Sequence, residues 1–402
     1  MNVESKGTGV VERRLPTLFW AVSAAVFVSR LGSMAMRFAV PWIMLQNGID
    51  AENVLMTMAA QAAPNVVSPW LGWLVDRFDR RRVMTVSEVS QALLVLISIP
   101  MLQGGHPLPV AGVLLLLGCG GVVSGLASDY GLIPLVITDE RQLPLANSRY
   151  VALSQGAFLA GPAIGGVLVA ADGANWILYG NAVSFLGSAA VSALLPRPAA
   201  RAARGQGGVL LALRWLLAHR KIRTITLVLA CYNLGVGAAQ VYLAVQAESR
   251  WGWSSSALGV VLGVAGVSGM AGAWSAGRIW AAESYGRRIQ LWLLICGVGA
   301  VAVGLGAVPW VVLPGYVLLM FAEGAVNVTS QVMRQMEIAP ALAGRVNALI
   351  RCVVLGASPL SSLVVGFAMK SGTAVLHGLP IAVFTVLAGV ALAMARRGEK
   401  GS

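Results

Sequence analysis

The segment GWLVDRFDRRRVM, Gly72 to Met84, places Asp76, Arg77, Asp79, Arg80, Arg81 and Arg82 within one short stretch of a chain that is otherwise poor in charge. Of its 402 residues 57% are hydrophobic and 11% charged, and the mean hydropathy is +0.76. Soluble domains carry roughly 25% charged residues. A charge run usually marks a solvated face, but apolar runs of about 20 residues flank this one, the length that crosses a bilayer as a helix. The run therefore reads as a tight loop between two membrane spans of an all-α membrane protein.

Outward from that loop, similar apolar runs recur along the whole chain. They place spans near residues 17–45, 54–75, 83–102, 109–137, 149–170, 175–195, 222–246, 256–280, 289–307, 311–332, 346–369 and 374–395. An even number of spans puts both ends on one side. The net charge of +13 follows this topology, and no nucleic-acid partner is implied. All the Lys and Arg residues except Arg30, Arg37, Arg250 and Lys370 fall on the side of the termini, Arg345 and Arg351 included. Excess basic residues mark the cytoplasmic face, so both termini are expected in the cytoplasm, with attraction to anionic lipid headgroups as a secondary effect. The first span lacks a small-residue cleavage site, so a removable signal peptide is not expected.

Between the sixth and seventh spans lies PRPAARAARGQGG, Pro196 to Gly208, a basic and flexible composition. VLLALRWLLAHRKIR follows, apolar on one helical face and basic on the other, as suits a helix lying on a membrane surface. The expected organisation is a six-helix bundle over residues 1–195, a linker with an amphipathic helix over 196–221, and a second six-helix bundle over 222–402. The halves echo each other weakly. Asn147 and Asn347, Gly72 and Gly272, Gly156 and Gly356, and Gly166 and Gly366 share one offset. Paired six-helix repeats are an architecture of secondary transporters.

The opening segment resembles the loop signature of the major facilitator superfamily, G-x-L-x-D-R-x-G-R-R. Gly72, Leu74, Asp76, Arg77, Arg80 and Arg81 match it, while Asp79 stands where the family usually has Gly. The resemblance implies twelve transmembrane helices in two bundles of six. It also implies a cytoplasmic latch in which Gly72 permits close helix approach and Asp76, Arg77, Arg80 and Arg81 hold the halves together. SQGAFLAGPAIGGVL in the fifth span is similar to the G-P-x-x-G-G element of the antiporter branches, through Gly161, Pro162, Gly165 and Gly166. Pro removes a backbone hydrogen bond and Gly permits close packing, so this segment can bend or simply pack. GNAVSFLGSA, LPLANS and GRVNALIR further resemble the branch holding the enterobactin exporter and the macrolide efflux pumps.

Polar residues inside the spans are the candidate site. Arg30 and Arg37 share a helix face, and an Arg at bilayer depth costs roughly 2.5–3.5 kcal/mol on insertion scales. Such a residue is expected to face a cavity or a partner, or for Arg37 to snorkel outward. Glu323, Asn327 and Gln331 recur every four residues and form a polar stripe, read as a substrate or proton site. Asn233 and Gln240 share a face in the seventh span, as do Gln61 and Asn65 in the second; helix–helix hydrogen bonding is their expected role, with Gln240 also a cavity candidate. A carboxylate kept from water gives up its charge more readily, so Glu323, Asp129 and Glu88 are the candidate proton carriers, Glu323 first. Glu88 and Asp129 are alternatively partners of the Arg run.

Cys119, Cys231, Cys296 and Cys352 lie in apolar runs without CxxC spacing and read as packing residues. His106, His219 and His377 are scattered, so no metal or catalytic cluster is expected, and no GxxxxGK[ST] loop points to an ATP motor. The reading is a monomeric, cofactor-free carrier in a bacterial inner membrane, not an enzyme. It would export a siderophore or drug-like molecule in exchange for protons, Arg30 and Arg37 being suited to carboxylates. The alternative is a proton-coupled importer of a nutrient or metal chelate with the same fold.

Overall fold

The computed structural model describes residues 15–131, 133–137, 139, 142–171, 173–196, 209–276, 284–306, 308–370 and 378–400. Each apolar run forms a helix, since a helix satisfies its own backbone groups where lipid offers none. In order these are α1 (Thr17–Gln46), α2 (Ala51–Ala62), α3 (Ser68–Arg77), α4 (Arg80–Gln103), α5 (Pro107–Gly131), α6 (Ile133–Val136), α7 (Leu143–Ala170) and α8 (Ala174–Ala193). The second series is α9 (Val209–Ala218), α10 (Arg220–Val236), α11 (Ala239–Val245), α12 (Ser255–Ser275), α13 (Tyr285–Leu305), α14 (Pro309–Glu337), α15 (Pro340–Lys370) and α16 (Leu379–Lys400). Among the described residues nine helices are long and apolar enough to cross a membrane. The α2–α3 pair, α7 and the apolar part of α16 bring the traverses to the twelve expected. The linker residues 197–208 lie outside the described residues.

Two traverses are broken near their middles. Pro64 has no N–H to give, and the chain passes through a 3-10 turn at Ala63–Asn65 between α2 and α3. Gly237 and Ala238 separate α10 from α11. One helix, α15, attends to both breaks. The Cys352 thiol donates to the Val66 carbonyl at 3.0 Å, and the Ser361 hydroxyl accepts from the Ala238 amide at 3.0 Å. α7, by contrast, is continuous through Pro162.

The contacts repeat across the halves. In the first, α1 packs on α7 and α8, α4 on α5 and α8, and α2 on α5; in the second, α10 packs on α15 and α16, α13 on α14 and α16, and α12 on α14. The halves meet through α7 against α12 and α15 against α2. Gly166 of α7 lies against Gly259 of α12, and Gly366 of α15 lies beside Leu55 of α2, so this one pair of equally offset glycines occupies corresponding interface positions. Both contacts sit at the end of the molecule opposite the Arg run, where Lys370 also reaches Glu52 across 3.7 Å. The halves are closed against each other at that end.

Large apolar side chains cover the outside. Trp20 and Trp274 stand exposed toward the end bearing the Arg run, Trp176 and Trp310 toward the other. Tryptophan at both margins of an apolar belt suits the two lipid–water interfaces.

Candidate functional site

α14 has two exposed faces of opposite character. Trp310, Val311, Leu318 and Met336 are exposed and apolar, and Asn327 is exposed and polar, with Glu323 and Gln331 half-buried beside it. Asn327 follows Leu318 by two and a half turns, which puts the two on opposite sides of the helix. If the apolar side meets lipid, the polar side turns inward. The Tyr232 hydroxyl of α10 lies close to the Glu323 carboxylate, and the Cys296 thiol of α13 donates to the Tyr232 oxygen at 3.8 Å. Tyr316, about two turns away on α14, also lies within the electrostatic reach of Glu323. The carboxylate thus sits where three helices meet.

The second polar feature is on α1. One Arg30 terminal nitrogen donates to Ser128 Oγ of α5 at 3.1 Å and to the Tyr150 hydroxyl of α7 at 3.2 Å, with the guanidinium 5.5 Å from the Tyr150 ring centre. Arg30 therefore ties three helices of the first half together. Arg37 is different. The helix around it is packed on every side, with Met36 at 3% and Phe38 at 1% exposure, yet Arg37 itself is exposed. Among the described residues it makes no hydrogen bond or ion pair, and the charge that acts on it is Arg351 of α15.

Arg351 was not legible as a site residue. Counted by sequence with the basic loops, it lies about 17 Å along α15 from Pro340. Its terminal nitrogens stand 3.5 and 3.8 Å from where a Cβ on Gly125 of α5 would be. It reaches from one half to the other.

Glu88 does not meet the Arg run. It is 3% exposed and accepts from Ser29 Oγ at 3.1 Å and from Ser124 Oγ, so it pins α4 to α1 and α5. The side chain of Asp129 lies outside the described residues, as does that of Asp76. Gln240 is half-buried on α11, which packs on α1 and α2. The helix–helix role expected of Asn65 and Asn233 is corrected. Asn65 Nδ2 donates to the Ala62 carbonyl and Asn233 Nδ2 to the Leu229 carbonyl, both at 2.9 Å. Beside a break, the carbonyls of the preceding turn are the nearest acceptors.

In the Arg run, Asp79 caps α4 by accepting from the Arg81 amide at 3.0 Å. The departure from the family's Gly thus supplies a good N-cap. Arg81 Nη1 donates to the Leu195 carbonyl, 3.0 Å away beyond the C-terminus of α8, a bond inside the first half. Arg77 is exposed and Arg80 half-buried, and both have interacting partners. A Cβ on Gly72 would stand an ordinary 3.6 Å from Leu126, so no close approach requires glycine there. In the fifth span, Gly161 meets Met34, and Gly165 meets Ala35 of α1, where a Cβ would come 2.7 Å from the Ala35 carbonyl oxygen. Gly166 turns to α12. The element packs helices. A counterpart of the Arg run, Gly286–Arg288, opens α13. Arg288 is buried there with its guanidinium 4.1 Å from the Tyr285 ring centre. The Gly-Arg-Arg spelling was the signal that would have found it.

The family model for the Major Facilitator Superfamily matches residues 22–362. The chain belongs to the Major Facilitator Superfamily. It is 28% identical over 223 residues to the multidrug efflux pump Tap of Mycobacterium tuberculosis, covering 51% of this chain and 52% of Tap. The chain thus spans about half the length of that curated relative. It is 26% identical over 337 residues to the MFS-type transporter YfiS of Bacillus subtilis, covering 78% of this chain and 76% of YfiS. The crystal structure of the nucleoside transporter NupG superposes with a TM-score of 0.73 at 12% identity, over 95% of this chain and 99% of NupG, a likeness of fold. This superfamily member is a multi-pass membrane protein.

Proposed function

We propose that the protein exports a small organic molecule, drug-like or a siderophore, from the cytoplasm in exchange for protons. The observation that carries the reading is the polar face of α14 opposite its apolar face, with Tyr232 beside Glu323. A carboxylate facing internal space can take up a proton in one state and release it in the other. The outward direction rests on the likeness to Tap. In this reading the Arg run faces the cytoplasm. Asp76, Arg77, Arg80 and Arg81 latch the halves when the carrier faces outward, and Arg30, Arg37, Gln240, Asn327 and Gln331 line the path.

Transport by inverted membrane vesicles with an imposed proton gradient tests it. Under export, the gradient that acidifies the lumen drives accumulation of compound inside. Accumulation only without the gradient, or movement the other way, rejects it and favours uptake. Asp76→Asn should impair flux with membrane insertion intact, and unchanged flux removes the latch.

A further inference from the structure

We infer that the start of α13, at the end of the molecule bearing the Arg run, binds a phosphate-type oxyanion through the Arg288 guanidinium and the amides of the first helical turn. The inference goes beyond the transport reading above and needs only the membrane fold.

Arg288 is 8% exposed. Its Nε is buried without a hydrogen-bond partner, and among the described residues no carboxylate pairs with it. The guanidinium instead lies 4.1 Å from the centre of the Tyr285 ring. Tyr285 is the first residue of α13, so this contact fixes the charge beside the first turn of the helix. A ring face attracts a cation but accepts little from N–H groups directed away from it. A buried charge is costly unless it is paired and hydrogen-bonded.

The same turn supplies further donors. The first intrahelical bond runs from the Arg288 amide to the Ser284 carbonyl at 3.1 Å, so the amides of Tyr285, Gly286 and Arg287 have no carbonyl one turn back. Ser284 makes no side-chain cap, and the first turn holds no acidic residue. The positive end of the helix dipole therefore adds to the charge of Arg288. Helix N-termini of this kind bind anions, phosphate among them. The carboxylate at this end of α14, Glu337, is bonded to Lys221 of α10.

The first half shows the same spelling satisfied from within. There Asp79 accepts from the Arg81 amide, and the Arg81 guanidinium donates to the Leu195 carbonyl. In the second half Gly286 stands in place of Asp79, and Arg288 has no such acceptor among the described residues. An oxyanion from outside the chain supplies what Asp79 and Leu195 supply there. Phosphate suits the site because its oxygens match the guanidinium fork and also accept from backbone amides. Exposed Trp274, near the end of α12, marks the lipid–water margin at this level. The phosphate can therefore belong to a phospholipid headgroup or to a dissolved compound.

Thermal unfolding of the purified full-length protein tests this, in phosphate-free dodecyl maltoside at constant ionic strength. Inorganic phosphate and dihexanoyl phosphatidylglycerol are the two added ligands. At least one should raise the unfolding temperature of the wild type. A response to inorganic phosphate marks a dissolved ligand, and a response confined to the lipid marks a headgroup; either supports the site. The concentration giving half the effect should rise about tenfold or more in Arg288→Gln, as loss of a charge-assisted bond implies, and less in Arg288→Lys. Arg220→Gln, which removes an equal charge from the exposed start of α10, should leave it in place. Should Arg288→Gln fail to fold, the comparison of Arg288→Lys with Arg220→Gln carries the test. A wild type that neither ligand stabilises, or an Arg288 variant that responds like the wild type, overturns the inference. Loss of stability without ligand but with the response intact assigns Arg288 to packing and also overturns it.

Discussion

Gly166 of α7 and Gly259 of α12 meet backbone to backbone across the two halves: a Cβ on Gly259 would lie 2.5 Å from the carbonyl carbon of Gly166. Together with Glu52–Lys370, this contact closes the molecule at the end away from the Arg run. A carrier that works by rocking its halves must make and break it in every cycle.

Enlarging Gly166 should therefore oppose closure. Overpacking of this kind costs about 1–3 kcal/mol, equivalent to about a 5- to 150-fold shift in a two-state population. Gly166→Val is expected to insert normally, to transport slowly, and to expose a cysteine at Ala163, beside Gly263, to a membrane-impermeant thiol reagent. A variant that transports and labels like the wild type would show that the end opens by another route.

Glu323→Gln keeps the size and polarity of the side chain beside Tyr232 and removes the exchangeable proton. Net flux should lose its response to an imposed proton gradient, while exchange of labelled for unlabelled substrate continues at the wild-type rate. The two assays on one vesicle preparation decide it, and a gradient-responsive variant counts against coupling through this carboxylate.

For Glu88 a different outcome follows from its surroundings. Glu88→Ala leaves the hydroxyls of Ser29 and Ser124 without their acceptor in a packed interface, which costs about 1–3 kcal/mol. Glu88→Gln retains an acceptor and should cost less. Thermal unfolding in detergent should rank wild type, Gln and Ala in that order, with the gradient response of the surviving protein unchanged. Loss of that response in the Gln variant would assign Glu88 to coupling instead.

Asp79 gives the smallest effect. Asp79→Ala removes the cap on Arg81 and should cost about 1 kcal/mol, whereas Asp79→Gly, the residue usual in the family, should cost only a few tenths. Thermal unfolding of the two variants side by side checks the order, and a Gly variant less stable than the Ala variant contradicts the capping role.

Much of the interior was legible from spacing alone. Glu323, Asn327 and Gln331 recur with the helical period, so their common face could be read before any coordinates. Arg30 and Arg37 stood out because charge is costly at that depth. Other residues misled for equally physical reasons. Arg351 lies in a basic-looking stretch, and its depth depends on how far α15 runs before it. Glu88 is near the Arg run in sequence, but a helix places it two turns away, among the hydroxyls of other helices.

The sequence by itself determined the twelve traverses and the family, because lipid demands long apolar helices whose backbone bonds are local, and because the Arg-run signature is contiguous. Only the tertiary structure decided which buried polar groups share a space. Arg37 meets the field of Arg351, and Cys296 joins Tyr232 and Glu323, through packing between helices remote in the chain, and that packing depends on small residues and side-chain directions that no local periodicity encodes.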